Sequence, residues 1–446
     1  MNRLIIFTFA ACLASSVCMA QEMTLRQCID TAIENNLSLD NARIGIRKSD
    51  TELSQSRAKL LPIINGVFQI TDYLKNPVNV TTGTLLGNDF PDDPTWQTIR
   101  STQYQANAGI QLNMPLYNQS VYAAIDMAKT AKEITTLSYE KGVEDLTVQL
   151  SKVYFLAQAS KAEIALFDEN IKRMRELCEI TEAMYDGGVV LEVDLNRVRI
   201  NLRNIETQRG QFAMLYEQQL NMLRFIMDVE PEYSLDVTAP DEDIHVFNND
   251  GVDTSLPELR ITQKGQELID KKIKTVKAGY LPSIGLTGYA GAIGYQERFS
   301  HFFHTKEATQ NWFGNCFIGL TVKIPIFEAR SKKLQIQQYR HDAMQMANNF
   351  ELQRKQLNEN YTNALLQLNH NQDVFRTQSD NCRQAESVYN VTEEQYREGV
   401  ASMTALLQDE MQMRSAQIMC VQAQCQYNLA RLELLRLSGN LKTLTE

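Results

Sequence analysis

The sequence is poor in the residues that interrupt regular structure. Its 446 residues include only 20 glycines and 10 prolines, whereas Gln, Asn, Leu and Ala are abundant. A fold with many turns needs more glycine and proline, so the composition favours long helices. Long apolar runs are also missing, since none beyond the first twenty residues approaches the ~20 residues of a membrane helix. If the mature protein sits in a membrane, it therefore has to cross it as β-strands.

Basic clusters are absent too. The net charge is −10, and no block of Lys and Arg contradicts it, so nucleic acid is not an expected partner. Of the eight cysteines, Cys12 and Cys18 lie in the first twenty residues. The other six lack C-x-x-C spacing, so we predict small buried hydrophobes rather than a disulfide framework. They are Cys28, Cys178, Cys316, Cys382, Cys420 and Cys425.

Motifs of known chemistries are missing. The chain has no G-x-S-x-G, P-loop or H-E-x-x-H sequence, so we do not expect an enzyme. Its five histidines are dispersed, and they are His245, His301, His304, His341 and His370. The one close pair, 301 and 304, has no acidic or cysteine partner at ligand spacing. We therefore predict no metal and no cofactor.

The first twenty residues predict a secretory signal peptide. Arg3 supplies a basic region, an apolar stretch follows, and Cys18-Met19-Ala20 ends in the small residues of a cleavage site. We expect cleavage after Ala20 and a mature N-terminus at Gln21. A lipoprotein signal is the weaker interpretation, because Val17 is bulky for the position before a lipidated cysteine.

The rest of the chain is a tandem duplication. Three short landmarks recur in the second half: 58–62 at 278–282, 110–117 at 320–327, and 185–189 at 396–400. The offsets are 220, 210 and 211, so the halves stay in register except for about ten residues between the first two landmarks. A length change of this kind marks a surface loop.

Each half predicts the same order of elements. A helix comes first, then two strands around a loop, then a very long helix, a glycine turn and a returning helix. The predicted domains are 1–20 signal peptide, 21–227 first repeat, 228–255 linker and 256–446 second repeat. The predicted helices are 24–60, 119–185, 190–227, 256–280, 329–397 and 401–437, and the predicted strands are 63–73, 103–114, 283–292 and 315–324.

The strand at 103–114 alternates with period two. Its apolar residues are Tyr104, Ala106, Ala108, Ile110, Leu112 and Met114, and polar residues or glycine lie between them. The other strands are similar but noisier, and Tyr289 and Phe317 fall on the otherwise polar face. Such strands are typical of transmembrane barrels. Four strands cannot enclose a pore, so either several chains share one barrel or the strands form a small sheet, and a soluble half-buried sheet stays open as an alternative.

The long helices carry a heptad seam. From Leu146 to Tyr185, seam residues follow spacings of four and three without a break, and adding 211 gives a second seam from Leu357 to Tyr396. A repeat of 3.5 residues imposes left-handed supercoiling on partner helices. Each long helix is ~100 Å long, and the first and returning helices, stacked end to end, nearly equal it. An ordinary elongated coiled coil explains the seams but not the strands or the duplication.

Prolines mark the predicted strand–helix junctions. They occupy equivalent places in the two repeats. Proline suits a strand–helix junction because it lacks an N–H and fixes φ. The four residues are Pro62, Pro115, Pro282 and Pro325.

With these features the sequence resembles the TolC-like outer membrane efflux protein family over essentially the whole mature chain. The resemblance rests on the duplicated Leu-Pro before each first strand, the Pro-aromatic exit from each second strand, and the Tyr-x-x-Gly tips followed by Leu195 and Leu406. It implies a mainly α fold with a small β part. It implies a homotrimer in which each chain gives four strands to one twelve-stranded outer-membrane barrel, joined to a periplasmic α-helical tunnel. A periplasmic adaptor and an inner-membrane transporter are the implied partners.

The helical tips are the candidate functional sites. We expect the turns to contact the adaptor through Gly187, Gly188, Gly399 and Val400, because glycine permits the positive φ of a tight reversal. Asp194 is the candidate periplasmic gate, with Glu192 close by on a different helix face. Three copies of Asp194 around an axis form an acidic ring, and such rings favour cations. The alternative is a solvated acid at a helix N-terminus, and Ala405 holds the duplicate position.

The function expected from these features is passive conduction of small molecules across the outer membrane, with the helical part in the periplasm. A structural tether with the same helices but no lumen is the first alternative. The second is a cell-surface binding protein that acts through the loops at 74–102 and 293–311.

Overall fold

A computed structural model of the chain describes residues 21–82, 96–239, 251–252, 255–302 and 312–444. The chain divides into two compact units. Of the described residues, those within 21–45, 135–263 and 348–444 form one unit, and those within 46–134 and 264–347 form the other. The predicted signal peptide, His245 and His304 lie outside the described residues.

The elements appear in duplicated order. The first half contains β1 (Gln21–Met23), α1 (Leu25–Asn35), α2 (Leu37–Ala58), β2 (Ile63–Asp72), β3 (Val78–Thr82), β4 (Trp96–Arg100), β5 (Tyr104–Tyr117), α3 (Gln119–Asp186), α4 (Glu192–Met227) and β6 (Leu235–Val237). The second half contains α5 (Pro257–Ala278), β7 (Ser283–Gln296), a 3-10 turn (Phe299–Phe302), β8 (Trp312–Lys323), α6 (Ser331–Arg397), α7 (Met403–Leu437) and a last 3-10 turn (Leu441–Leu444). The predicted mainly α fold with a small β part is confirmed, and each predicted long or returning helix ends within two residues of its prediction.

The predicted helix 24–60 is wrong in one respect, because Asn36 divides it into α1 and α2. The Asn36 Oδ1 accepts hydrogen bonds from the backbone N–H groups of Ser38 (2.9 Å) and Leu39 (3.2 Å). Its side-chain amide donates to the carbonyl oxygen of Ile226 (2.9 Å). Asparagine at this point caps the first turn of α2, as its short polar side chain favours. The periodicities of the sequence do not predict this hydrogen bond, because its two residues are far apart in the chain.

The four predicted strands are present; β2 ends one residue before its predicted end, and the other three differ by more. Strand β5 continues to Tyr117, β7 to Gln296, and β8 starts at Trp312, since each is held by a neighbour along the added length. Strands β3 and β4 form a hairpin inside the predicted loop 74–102. Strands β1 and β6, also not predicted, pair in parallel, and β6 lies in the predicted linker.

Strand β6 is held by a lysine of the long helix α3. The Lys161 Nζ lies 2.9 Å from an Asp236 carboxylate oxygen, 3.1 Å from Glu22, and donates to the carbonyl oxygen of Val237 at 2.7 Å. A two-stranded parallel pair of three residues is too small to be stable alone. The charged and backbone contacts of Lys161 explain how it persists on α3.

The heptad seams form the core of the first unit. Along α3 and α6, residues such as Leu150, Phe167, Leu368 and Tyr389 are buried at the predicted spacing. Tyr185 is the seam residue that stays exposed. The cluster near the tips combines side chains from α3, α4, α6 and α7. The predicted seams are therefore packing positions of a bundle formed by both repeats.

In the second unit, α3 and α5 are joined by alternating charges. Lys271 Nζ lies 2.5 Å from an Asp126 oxygen and 3.7 Å from Glu267, and Lys264 bridges Glu267 (2.9 Å) and Glu133 (2.6 Å). A single exposed ion pair contributes little to stability, whereas a network of several charges holds its side chains in place together. It links two helices of different repeats.

Among the described residues, no helix has both the length and the apolar character needed to span a membrane. The six cysteines that follow the predicted signal are free thiols. Cys28 and Cys425 are buried and three others are half-buried, but Cys316 is exposed. The prediction of a buried residue is wrong for Cys316, because it lies opposite Ala290 on a face of the sheet where Ile110 and Ala290 of the inner strands are exposed as well.

Candidate functional site

The sheet of the second unit separates an apolar face from a polar one. Its strand order is β2-β5-β7-β8, and all three pairings are antiparallel. On one face, Ile64 of β2 lies opposite Leu112 of β5, and Ile110 lies opposite Ala290 of β7. Ile64, Ile110 and Ile318 are all exposed. The predicted alternation therefore corresponds to a real, continuous and largely uncovered apolar face.

The opposite face carries amides and a layer of aromatic rings. Gln111 lies opposite Asn65 on one side and Tyr289 on the other. The Tyr289 ring stacks on Phe317 with centroids 5.9 Å apart, and its hydroxyl hydrogen-bonds to the Asn107 side chain. The two aromatic residues that break the predicted polar pattern are thus partners, and one of them is tied to a polar neighbour.

The four prolines lie at or near strand ends. Pro62 and Pro282 directly precede β2 and β7, and Pro325 follows β8 by two residues. Pro115 lies inside β5, where the pairing with β7 shifts register between residues 115 and 117. Strand β5 pairs with β2 only as far as Asn113. A proline is tolerated there because one side of the strand carries no ladder and the other has a bulge.

Both helical tips are built by the same hydrogen bonds. After α3, Val189 N–H donates to the Met184 carbonyl (2.8 Å) and Gly188 N–H to the Tyr185 carbonyl (2.9 Å). After α6, Val400 and Gly399 repeat the pattern with Gln395 and Tyr396, and the φ angles of Gly188 and Gly399 are 71° and 77°. This is the Schellman helix ending, which requires a left-handed residue. Positive φ is confirmed for Gly188 and Gly399, whereas Gly187 has none.

The tip surfaces are apolar and exposed. Val189 and Val400 occupy equivalent places after the two glycines, and they are 75% and 77% exposed. Leu191 and Val193 extend this surface on the first tip. Exposed apolar groups at the end of a helical hairpin are typical of a contact surface.

Asp194 lies in the first turn of α4 together with Glu192. Its carboxylate is 3.1 Å from the guanidinium of Arg197, which also donates to the Thr404 hydroxyl of α7 (3.3 Å). Glu192, on the same turn, is exposed. The sequence did not indicate the pairing with Arg197, although the spacing of three residues on a helix allows it.

Layers of polar side chains cross the helical bundle near the tips, and sequence patterns did not predict them. Asn170 of α3 donates to the Gln417 side chain of α7 (3.0 Å), and Gln417 donates to Glu386 of α6 (3.3 Å). Asn201 of α4 donates to Glu410 of α7 (3.0 Å). Burial raises the pKa of Glu410, which is 3% exposed. Satisfied polar groups inside a bundle fix which residues face each other.

A further carboxyl group lies between α3 and α7. Glu163 is 4% exposed, and one of its oxygens accepts a hydrogen bond from the Gln422 side chain (3.4 Å). Burial raises the pKa of Glu163 from 4.5 to about 7. Desolvation disfavours the ionised form, and one weak hydrogen bond does not compensate it.

Comparisons with known proteins agree with this architecture. A family model described as outer membrane efflux protein matches residues 28–228 and 254–440. The chain is 21% identical to the probable efflux pump outer membrane protein TtgC of Pseudomonas putida, over 88% of this chain and 78% of that protein. Among solved structures, it is similar to the MtrE outer membrane channel of Neisseria gonorrhoeae, with a TM-score of 0.72, 18% identity and coverage of 95% and 90% of the two chains. It is also similar to the Campylobacter jejuni CmeC outer membrane channel, with a TM-score of 0.71, 16% identity and coverage of 93% and 85%.

The structural likenesses concern the fold, and the family match covers most of both repeats. The matched segments contain the sheet, the long helices and both glycine tips. Since they extend over well more than half of the chain, the protein belongs to the outer membrane efflux protein family.

Proposed function

We propose that the chain is the outer-membrane channel of a tripartite efflux or secretion system. It conducts small molecules passively from a periplasmic partner complex to the exterior. The observation that carries the proposal is the four-stranded sheet with one apolar and one polar face. An apolar face suits lipid, and a polar face suits a water-filled lumen.

The sheet also supports a homotrimer. Within the described residues, β2 and β8 each have a neighbour on one side only, so both edges offer unpaired backbone groups. Joining β8 of one copy to β2 of the next closes a barrel of twelve strands in three copies. A barrel of four strands has no room for a lumen.

The tips are the proposed contact with a periplasmic adaptor, which connects the channel to an inner-membrane transporter. Gly188 and Gly399 set the reversals, and Gly187 and Val400 lie beside them. The exposed apolar side chains at both turns support this assignment, as does the identical construction of the two turns. The division into 1–20, 21–227, 228–255 and 256–446 stays a prediction.

Asp194 is proposed to line the periplasmic constriction, with Glu192 at its margin. Arg197 contacts both Asp194 of α4 and Thr404 of α7. This supports a position of Asp194 at the point where the two helices meet. Three Asp194–Arg197 pairs around an axis give alternating charges rather than a purely acidic ring. Cation preference then depends on how strongly the arginine neutralises the carboxylate.

The test is conductance of the purified protein in a planar bilayer. Detergent-resistant trimers that carry a steady ionic current are the expected result. Trimers that never conduct under any voltage contradict the channel and favour a tether with the same helices. Co-purification of an adaptor and an inner-membrane transporter from a tagged chain tests the proposed partners.

A further inference from the structure

The polar face of the sheet carries four large aromatic rings. They belong to Tyr289 and Tyr295 of β7 and to Phe313 and Phe317 of β8. The two phenylalanines are 56% and 50% exposed, and the two tyrosines are half-buried. Because side chains alternate with period two along a strand, all four project from the face that also carries Gln111. Single exposed apolar residues are common, but a group of them on one side of a sheet marks an interaction site.

The rings form two pairs that follow each other along the strands. Tyr289 lies directly opposite Phe317, with ring centroids 5.9 Å apart and ring planes inclined by 25°. Tyr295 and Phe313 form the second pair, with centroids 6.1 Å apart and planes inclined by 53°. Both separations are typical of favourable aromatic pairs. The two tyrosines are six residues apart in the sequence, which corresponds to ~20 Å along β7.

The Tyr289 ring is fixed with one side against the backbone. Gly109 lies opposite Gly291, and a Cβ atom added to them would be 2.6 Å and 2.5 Å, respectively, from the Tyr289 hydroxyl oxygen. The phenol group therefore covers a pair of glycines, and its hydroxyl hydrogen-bonds to the side chain of Asn107. A ring held in this way directs its other side away from the sheet. It loses little conformational freedom when a ligand binds there.

Neutral side chains line the strands around the Tyr289–Phe317 pair. Among the described residues of β2, β5, β7 and β8, Lys323 at the end of β8 is the only charged residue on the polar face. It is six residues from Phe317, which corresponds to ~20 Å along the strand. The neighbouring polar groups are side-chain amides, such as those of Asn107 and Gln111. The negative potential over an aromatic ring attracts cations, and neutral amides do not oppose this attraction.

We propose that the Tyr289–Phe317 pair is a stacking site for planar aromatic cations inside the channel. The flat ring system of the solute lies on the open side of Tyr289, and its positive charge is attracted by the two rings. Side-chain amides carry acceptor oxygens for amino groups at the edge of such a solute. The inference rests on the proposed function, since the polar face borders a lumen only in a channel, and it names a class of solute that this lumen binds.

The second pair suits transport, because it gives the solute a further site. A solute that leaves Tyr289 meets Tyr295 and Phe313 after ~20 Å along β7. Conduction requires binding that is strong enough to attract a solute and weak enough to release it, and several weak sites in series satisfy both conditions. Contacts with one or two rings have this strength, so loss of one ring should weaken binding by about three- to tenfold.

Phe68 of β2 supplies a matched control on the other face of the sheet. It is 68% exposed and lies opposite Ala108, so it belongs to the apolar face. Phe68→Leu and Phe317→Leu therefore make the same substitution of an exposed ring in the same sheet. Only Phe317 belongs to the proposed site, so only its replacement should change the binding of the solute.

The experiment measures the binding of proflavine, a flat acridine cation, to purified full-length trimers by fluorescence anisotropy. Each preparation is first shown to conduct in a planar bilayer. Phe317→Leu and Tyr289→Leu should each weaken proflavine binding by about three- to tenfold. Tyr289→Phe, which keeps the ring, should lose less than Tyr289→Leu, and Phe68→Leu should bind as the unmodified chain does. Tetrabutylammonium, which carries the same charge without a flat ring system, should not displace proflavine.

Conducting trimers that do not bind proflavine, or that bind it equally in the Phe317→Leu and Phe68→Leu variants, overturn the inference and leave the channel intact. Displacement of proflavine by an equal concentration of tetrabutylammonium also overturns it, because charge alone then accounts for the binding. Trimers without conductance contradict the proposed channel itself, and the lumen site falls with it. If Tyr289→Leu does not assemble, Phe317→Leu decides the same question.

Discussion

The phenol ring of Tyr289 lies over the backbone of Gly109 on the neighbouring strand. A Cβ atom placed on Gly109 would be 2.6 Å from the Tyr289 hydroxyl and 2.7 Å from the Ala290 carbonyl oxygen. Neither distance is tolerated by real side chains. The absence of a side chain at Gly109 is therefore what permits the aromatic ring to lie across the polar face.

Gly109→Ala should destabilise the sheet by about 1–3 kcal/mol, as overpacking does elsewhere. The thermal midpoint and the recovery of detergent-resistant oligomers measure it. Gly66→Ala is the matched control, because a Cβ at Gly66 of the same sheet meets nothing within 4 Å. Equal behaviour of the two variants would show that Tyr289 does not occupy this position in solution.

Arginine at residue 110 should be far more damaging than arginine at residue 111. Ile110 belongs to the apolar face and Gln111 to the polar face. In the proposed channel, Ile110→Arg places a charge in lipid at a cost of about 2–4 kcal/mol near the midplane, whereas Gln111→Arg faces water. Recovery of trimers from outer membranes compares the two, and similar yields would contradict the assignment of the faces.

Valine at the two left-handed tip glycines should impair efflux and leave the trimer assembled. Gly188→Val combined with Gly399→Val forces a β-branched residue to positive φ, which is a strong backbone outlier. Dye efflux by cells that carry the partner proteins, together with trimer recovery, checks the result. Gly210→Val is the control, since Gly210 lies on α4 away from both turns, lacks a positive φ, and a Cβ there meets nothing within 4 Å.

Asp194→Ala should reduce block by divalent cations in single-channel recordings, and Arg197→Ala should increase it. The reason is that Arg197 neutralises part of the Asp194 charge at 3.1 Å, and acidic rings bind cations at constrictions. Glu192→Ala is the comparison on the same turn. Unchanged block in Asp194→Ala would reduce Asp194 to a helix N-terminal acid with a stabilising effect of about 0.3–1 kcal/mol.

Stability should fall as pH rises from about 5 to 8, and Glu163 should cause part of that fall. Its carboxyl has a pKa of about 7 in the folded chain and 4.5 as its ordinary value, so the folded state binds more protons between these values. The proton that the folded state binds more tightly raises the free energy of unfolding by roughly 3 kcal/mol. This contribution is fully present below pH 4.5 and is lost as the pH rises past 7.

Glu163→Gln should therefore raise the thermal midpoint at pH 8 and flatten its dependence on pH. Glu169→Gln, on the exposed side of the same helix, should keep the pH dependence of the unmodified chain. Parallel curves for the Glu163 variant and the unmodified chain would show that this carboxyl is not desolvated.

Much of the architecture follows from local sequence patterns. The heptad spacing from Leu146 to Tyr185 determines α3, and the alternation around Ile110 determines β5 and its two faces. The repeated glycines fix where the helices reverse. These features depend on interactions between residues near one another in the chain, with periods of 3.5 and 2, so the sequence records them directly.

Other features were decided only when distant segments met. Asn36 ends a helix because it reaches Ile226, β6 exists because Lys161 holds it, and Asp194 is paired with Arg197 beside Thr404. A side-chain donor has no periodicity, and its partner can lie hundreds of residues away. The duplication gave the register of the two halves. Only the tertiary structure showed which residue of a duplicated pair is buried and which is exposed, because burial depends on the neighbours that packing supplies.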